Sequence, residues 1–146
     1  GELYSPLRDL PIMERKLDEF AHKAIQAALA KKAENVVALD VSEVCSFART
    51  LVICHGNSRR QVQSISEAIR RDLREAGRRA HHVEGQRAGD WVLMDYLDFV
   101  VHVFLEERRH FYALERLWGD APRFDPETGE LLEEGGGTAS DARAGA

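Results

Sequence analysis

The chain has 146 residues, 44% hydrophobic and 31% charged, with a formal net charge of −5. This composition describes one globular domain with a substantial core and terminal extensions. It excludes a membrane-spanning helix, since no apolar run approaches the roughly 20 residues needed to cross a bilayer, and it argues against broad binding to nucleic-acid phosphates, which relies on basic patches.

Residues 1–12 contain Pro6 and Pro11 without sustained periodicity and read as a leading arm. Gly1–Pro6 lacks the basic start and apolar core of a secretory signal, and the missing initiator Met suggests processing or trimming. Leu17, Phe20, Ala21, Ala24, Ile25, Ala28 and Leu29 trace an apolar stripe at helical spacing, predicting a helix from near Met13 to Lys32. Val36–Val41 is a short strand. Thr50–Cys54 is a second, apolar almost throughout, as a central strand buried on both faces would be.

Ser58, with Gln61 three residues on, makes a capping box that opens a helix. Val62, Ile65, Ile69, Leu73 and Ala76 form its buried stripe, and Gly77 stops it. Strand, glycine-bearing loop, helix and strand in succession make a crossover unit, which normally builds a parallel pairing. Ala80–Glu84 is a weaker strand closed by Gly85. Beyond the hairpin described next, Arg108 to Trp118 returns to helical spacing, with Phe111, Leu114 and Leu117 near one face. From Gly119 onward prolines and glycines predict a disordered tail. The domain therefore spans residues 13–120, between the arm and a tail at 121–146. The fold class is α/β, with about five strands in a mixed sheet flanked by helices.

Trp91–Tyr96 and Phe99–Phe104 are two strand-like runs around Leu97-Asp98, a tight hairpin. A two-residue turn sets Tyr96 against Phe99 and Trp91 against Phe104. Trp91, Leu93 and Asp95 then share a face with Val100, His102 and Phe104. Phe99 and Phe104 suit the core. Trp91, at a strand edge, and Tyr96, at a turn, suit partial exposure as anchors for a partner.

Other chemistry is weaker. Asp95 and His102 lie close enough for a carboxylate to orient an imidazole, but nucleophilic catalysis also needs an activated nucleophile and an oxyanion hole. Gly56-Asn57-Ser58-Arg59-Arg60 is a generic anion site at a helix start without Walker or dinucleotide spacing. Asp40, Asp95 and Asp98 do not make the carboxylate cluster a nucleotidyltransferase needs. An enzyme binding a nucleotide at Gly56–Ser58 is the alternative reading. His81-His82 with His102 is a poor metal set, because adjacent strand residues face opposite ways. Cys45 and Cys54 lack metal or redox spacing and read as buried free thiols in a reducing, cytoplasmic setting.

Asp90-Trp91-Val92-Leu93-Met94-Asp95-Tyr96-x-Asp98-x-Val100-Val101-His102-Val103-Phe104, followed by Arg109-x-Phe111-Tyr112-x-Leu114-Glu115-x-Leu117-Trp118, resembles the ribosomal silencing factor (RsfS, YbeB/iojap) family. Val37–Val41, Val52-Ile53-Cys54-x-Gly56-x-Ser58-x-Arg60-Gln61-Val62 and Val83-Glu84-Gly85 fit it in the same order, so the resemblance covers about residues 17–120. It implies a nucleotidyltransferase-like fold without known transferase activity, and no cofactor or metal is expected. It further implies binding to the large ribosomal subunit through its ribosomal protein fourteen, with joining of the small subunit blocked sterically when nutrients are scarce. A homodimer when free is also implied; neither DNA nor membrane is a partner. By position, the interface comprises Trp91, Asp95, Tyr96, Leu97, Asp98 and His102.

The chain departs from the family pattern twice. Ala48-Arg49-Thr50 stands where Thr-Asp-Tyr is usual, and Leu97-Asp98 where the hairpin turn usually carries Gly-Asp. Leucine resists the positive φ such a turn demands.

Overall fold

The computed structural model describes residues 16–108 and 121–132. Helix α1 spans Glu19–Ala30, starting later than the Met13 expected. Asp18 sets that start: its carboxylate accepts the N–H groups of Phe20 at 2.7 Å and Ala21 at 3.0 Å, satisfying first-turn donors. Leu17 instead donates its N–H to the Gly129 carbonyl at 2.8 Å and lies outside the helix. Ala21, Ala24, Ile25 and Ala28 are buried, as the stripe predicted, whereas Leu29, read as part of that stripe, is exposed.

Strands β1 (Glu34–Asp40) and β2 (Thr50–Gly56) pair antiparallel. Every residue of β2 is buried, as its apolar run required. Helix α2 spans Arg59–Glu75 and turns Val62, Ile65, Ile69 and Leu73 inward. It ends where Gly77 adopts φ 91. The Arg78 N–H reaches the Leu73 carbonyl at 2.8 Å and the Gly77 N–H reaches Arg74 at 2.9 Å, a Schellman closure. Ala76, expected in the buried stripe, is the exposed C-cap instead.

Strand β3 (His82–Glu84) lies at the sheet edge, antiparallel to β4 (Trp91–Asp95), which pairs antiparallel with β5 (Phe99–Leu105). The crossover from β2 through α2 therefore does not return beside β2. The strand parallel to β2 is β5. With β6 (Arg123–Phe124) beside β1, the sheet has six strands among the described residues, in the order β3-β4-β5-β2-β1-β6, one more than expected.

The extra strand comes from the segment read as a disordered tail, and that reading is corrected for residues 121–132. Phe124 is 4% exposed and packs in the core. The Asp125 carboxylate accepts the N–H groups of Glu127 and Thr128, Gly129 takes φ 79, and Leu132 donates back to Arg123. Pro126 and Gly129 thus shape a hairpin turn rather than interrupt structure. The leading arm and the helix expected through Trp118 lie outside the described residues.

Both helices cover one face of the sheet, where Ile25, Val62, Ile65 and Ile69 meet Val92, Met94, Tyr96, Phe99, Val101 and Val103. The second face carries Leu39, Leu51, Ile53, Val100 and Phe104, partly covered by Val41, Cys45 and Ala48 from the segment joining β1 to β2. Cys45 and Cys54 are buried free thiols. No helix among the described residues is long and apolar enough to cross a membrane.

Candidate functional site on the second sheet face

The β4–β5 register is the one a two-residue turn requires: Trp91 opposes Phe104, Leu93 opposes His102 and Asp95 opposes Val100. Side chains alternate, so Val92 and Met94 enter the helix-covered core while Trp91, Leu93 and Asp95 stand half-buried on the second face.

The turn itself is held in a conformation leucine rarely adopts. Leu97 sits at φ 75 and is 56% exposed. Its N–H donates to the Asp95 carboxylate at 2.8 Å, and the Asp98 N–H closes on the Tyr96 carbonyl at 2.9 Å. Arg78, arriving from the end of α2, donates to the Tyr96 carbonyl at 2.7 Å and to the Asp98 carboxylate at 3.3 Å. Its guanidinium also lies over the rings of Phe20 and Phe99. These contacts offset a left-handed leucine that costs about 1–2 kcal/mol.

Asp95 and His102 share the face but do not form the pair considered for catalysis. The Trp91 indole Nε1–H donates to His102 Nδ1 at 2.9 Å, while the Asp95 carboxylate serves the turn. Burial pushes the His102 imidazole down to about 4, so it is neutral at neutral pH. Trp91 stacks on Phe104 with centroids 5.1 Å apart.

Tyr96 departs from expectation. It is 1% exposed, stacks on Phe99 at 4.9 Å, and faces the helix-covered core rather than the surface that carries Trp91. Alternation explains this, because residues 91 and 96 of a strand differ by an odd number of steps. Burial raises its phenol pKa, against the opposing influence of Arg70, Arg74 and Arg78. Trp91 and Tyr96 therefore do not share one surface patch.

Two surface residues were missed in the sequence. Val44 is 65% exposed and Phe47 is 73% exposed, both in the segment between β1 and β2. The signal was there: apolar side chains in a stretch with neither strand nor helix period, where solvent should favour polar ones. Phe47, Cys45 and Val41 wall one side of an apolar recess of about 280 Å³, and Leu93, Asp95, Val100 and His102 form the other.

The Gly56–Ser58 loop is tied to the start of α2 through Gln61. Ser58 Oγ accepts the Gln61 N–H at 3.1 Å, and Gln61 Oε1 accepts the Asn57 N–H at 2.7 Å. The Gln61 amide also donates to the carbonyls of Lys31 and Lys32, tying the end of α1 to the start of α2. A Cβ at Gly56 would meet Gln61 Cγ at 3.2 Å, so the glycine serves that close packing. The predicted cap is present. His82, one of the histidines considered for a metal, is instead bonded to Glu84 at 2.6 Å.

Fold and site define an α/β domain whose distinguishing surface is an apolar sheet face bordered by a strained hairpin turn. The family described as "Ribosomal silencing factor during starvation" (RsfS) matches residues 14–145, and the chain belongs to that family. It is 43% identical over 109 residues to the ribosomal silencing factor RsfS of Halalkalibacterium halodurans, covering 75% of this chain and 93% of that one. Identity to its Bacillus subtilis namesake is 44% over 99 residues, covering 68% and 84%. Among solved structures, a Chromobacterium violaceum protein superposes with TM-score 0.68 at 34% identity, covering 75% of this chain and 88% of that one. A Bacillus halodurans protein gives 0.66 at 39%, covering 73% and 97%. The named relatives are called silencing factors rather than enzymes.

Proposed function

We propose that this protein represses translation under nutrient limitation by binding the large ribosomal subunit through its ribosomal protein fourteen and sterically blocking small-subunit joining. The observation that carries the reading is the exposed apolar side chains of Phe47, Val44 and Leu97 beside the half-buried Trp91 on one domain of this family. Aromatic and aliphatic anchors of this kind, rimmed by a few charges, are what protein interfaces use.

Trp91, Leu97, Asp95 and Asp98 form the proposed contact surface, joined by Val44 and Phe47, while the buried His102 supports Trp91 through its hydrogen bond rather than meeting the partner itself. Tyr96 acts from behind it, by filling the core under the turn. The net charge of −5 favours a basic ribosomal-protein surface over RNA and would speed encounter with it. The site of action is then cytoplasmic. In the free protein the same face is available to a second copy, which sedimentation velocity would register.

Purified protein should co-sediment with large subunits and reduce formation of joined ribosomes. Unchanged joining at saturating protein would sink the proposal. Incubation with labelled nucleoside triphosphates and Mg²⁺ separates it from the enzymatic alternative, since neither tight binding nor turnover is expected.

A further inference from the structure

Glu34, His55 and Glu106 converge from three neighbouring parts of the sheet, with one potential ligand atom from each lying within 4.8 Å of the others. Glu34 opens β1, His55 is the penultimate residue of the central β2, and Glu106 follows the last residue of β5. Strands β1, β2 and β5 are adjacent, so the set spans three rows of the sheet at the ends of the parallel pair. That is where open α/β sheets commonly place ligands.

The juxtaposition depends on an irregularity in β1. Register shifts between Glu34 and Val37, and Asn35 adopts φ 48. Continuing the pairing of Val37 with Ile53 without that shift would set Asn35, not Glu34, opposite His55. The extra residue of the bulge re-aims a carboxylate at the imidazole. Glu34 Oε1 lies 3.3 Å from His55 Nε2, already close to the roughly 3.4 Å between two ligands on a tetrahedral zinc ion with bonds near 2.0–2.2 Å. The Asn57 amide donates to the other Glu34 oxygen at 3.2 Å, which orients the carboxylate as outer-shell partners of metal ligands do.

We propose that Glu34, His55 and Glu106 form a binding site for a divalent first-row transition cation of the zinc type. The donor set is one imidazole nitrogen and two carboxylate oxygens, which suits such ions better than Mg²⁺ or Ca²⁺, whose sites are built from oxygen. His55 is 3% exposed and fixed in the sheet, whereas both glutamates are exposed and able to adjust by the ångström needed to close the sphere. Water would complete the coordination. A bound ion would cross-link β1, β2 and the residue after β5. Without an ion, the Glu34–His55 contact is a hydrogen bond or ion pair, so proton and metal compete for the same nitrogen.

The test is calorimetric titration of the EDTA-treated full chain with ZnCl₂ near neutral pH, with MgCl₂ as the comparison. One zinc ion per chain should bind, undisplaced by a hundredfold excess of Mg²⁺. Glu34→Gln and Glu106→Gln should each weaken binding at least tenfold. Both sites are exposed, so melting temperatures without metal report that the variants remain folded. Zinc should also shift the His55 ring signals by NMR and leave those of His102 in place. Absence of saturable zinc binding would overturn the assignment. So would binding of unchanged affinity in both variants, which would move the ion elsewhere, for example to His82 and Glu84. Neither outcome depends on whether the protein binds ribosomes.

Discussion

Across the β4–β5 pair, the indole Nε1–H of Trp91 donates to Nδ1 of His102 at 2.9 Å. That bond needs an unprotonated Nδ1, and burial keeps the imidazole neutral down to about pH 4. Nδ1 accepts, so the proton of the neutral ring resides on Nε2.

A pH dependence of definite sign follows. Unfolding restores an ordinary histidine with pKa 6.5, so below that value the unfolded chain takes up a proton that the folded chain refuses. The contribution of His102 is fully present above 6.5 and is lost as pH falls from there through about 4. The loss accumulates to about 3 kcal/mol at roughly 1.4 kcal/mol per pH unit. Urea midpoints of wild type and His102→Asn, compared at about pH 7.5 and about pH 4, should show the variant losing less stability. Equal losses would place the acid sensitivity in other groups.

Trp91→Ala removes both the stack on Phe104 and the donor to His102. A stability cost of about 2 kcal/mol is expected, with the fold retained. Co-sedimentation with large subunits should weaken at least tenfold, and Trp91→Phe, which keeps the stack, should fall between. Wild-type binding by Trp91→Ala would put the interface elsewhere.

The Tyr96 hydroxyl is buried without a hydrogen-bond partner among the described residues. Tyr96→Phe should therefore leave stability unchanged or raise it by about 1 kcal/mol, because it removes an uncompensated polar group. Subunit binding should not change. Lost binding would mean that the phenol reaches the partner after all.

Leu97→Gly separates conformation from contact. Relief of the φ 75 leucine should be worth about 1 kcal/mol, partly offset by the freer unfolded chain. Stability by urea titration should stay equal or rise slightly while subunit binding falls, since the exposed side chain is gone. Leu97→Ala, which keeps the strain, should lose binding without gaining stability. Full binding by both variants would remove Leu97 from the contact surface.

Phe124→Ala tests whether the last described segment belongs to the domain. Truncating a ring that is 4% exposed should cost about 3 kcal/mol. No change in thermal midpoint would mean that β6 contributes nothing.

Periodicity made most elements legible. Apolar β2, the α2 stripe and the β4–β5 register are all local patterns, and the hairpin turn could be placed from two residues. What escaped was non-local. Phe124 gained its role only by pairing with β1, far away in the chain, so prolines and glycine nearby were mistaken for disorder. Tyr96 was misjudged although alternation already opposed it to Trp91, because its place beside a turn suggested solvent. The Trp91–His102 bond was hidden for another reason: a carboxylate seemed the obvious partner for an imidazole, and the turn had already claimed Asp95.

The parallel pairing of β2 with β5 also determines when the chain can fold. Thr50 aligns with Phe99 and Gly56 with Leu105, so the strand at the centre of the sheet has one partner nearby and the other far downstream. During synthesis, β1 and β2 can meet early, and α1 and α2 can shield one side. The other edge of an entirely buried strand stays unpaired until β5 emerges, and open edges of that kind invite association with other chains. Closing so long a loop is also slow relative to local contacts. The nascent chain is therefore most vulnerable to self-association after α2 has formed and before Leu105 has left the exit tunnel.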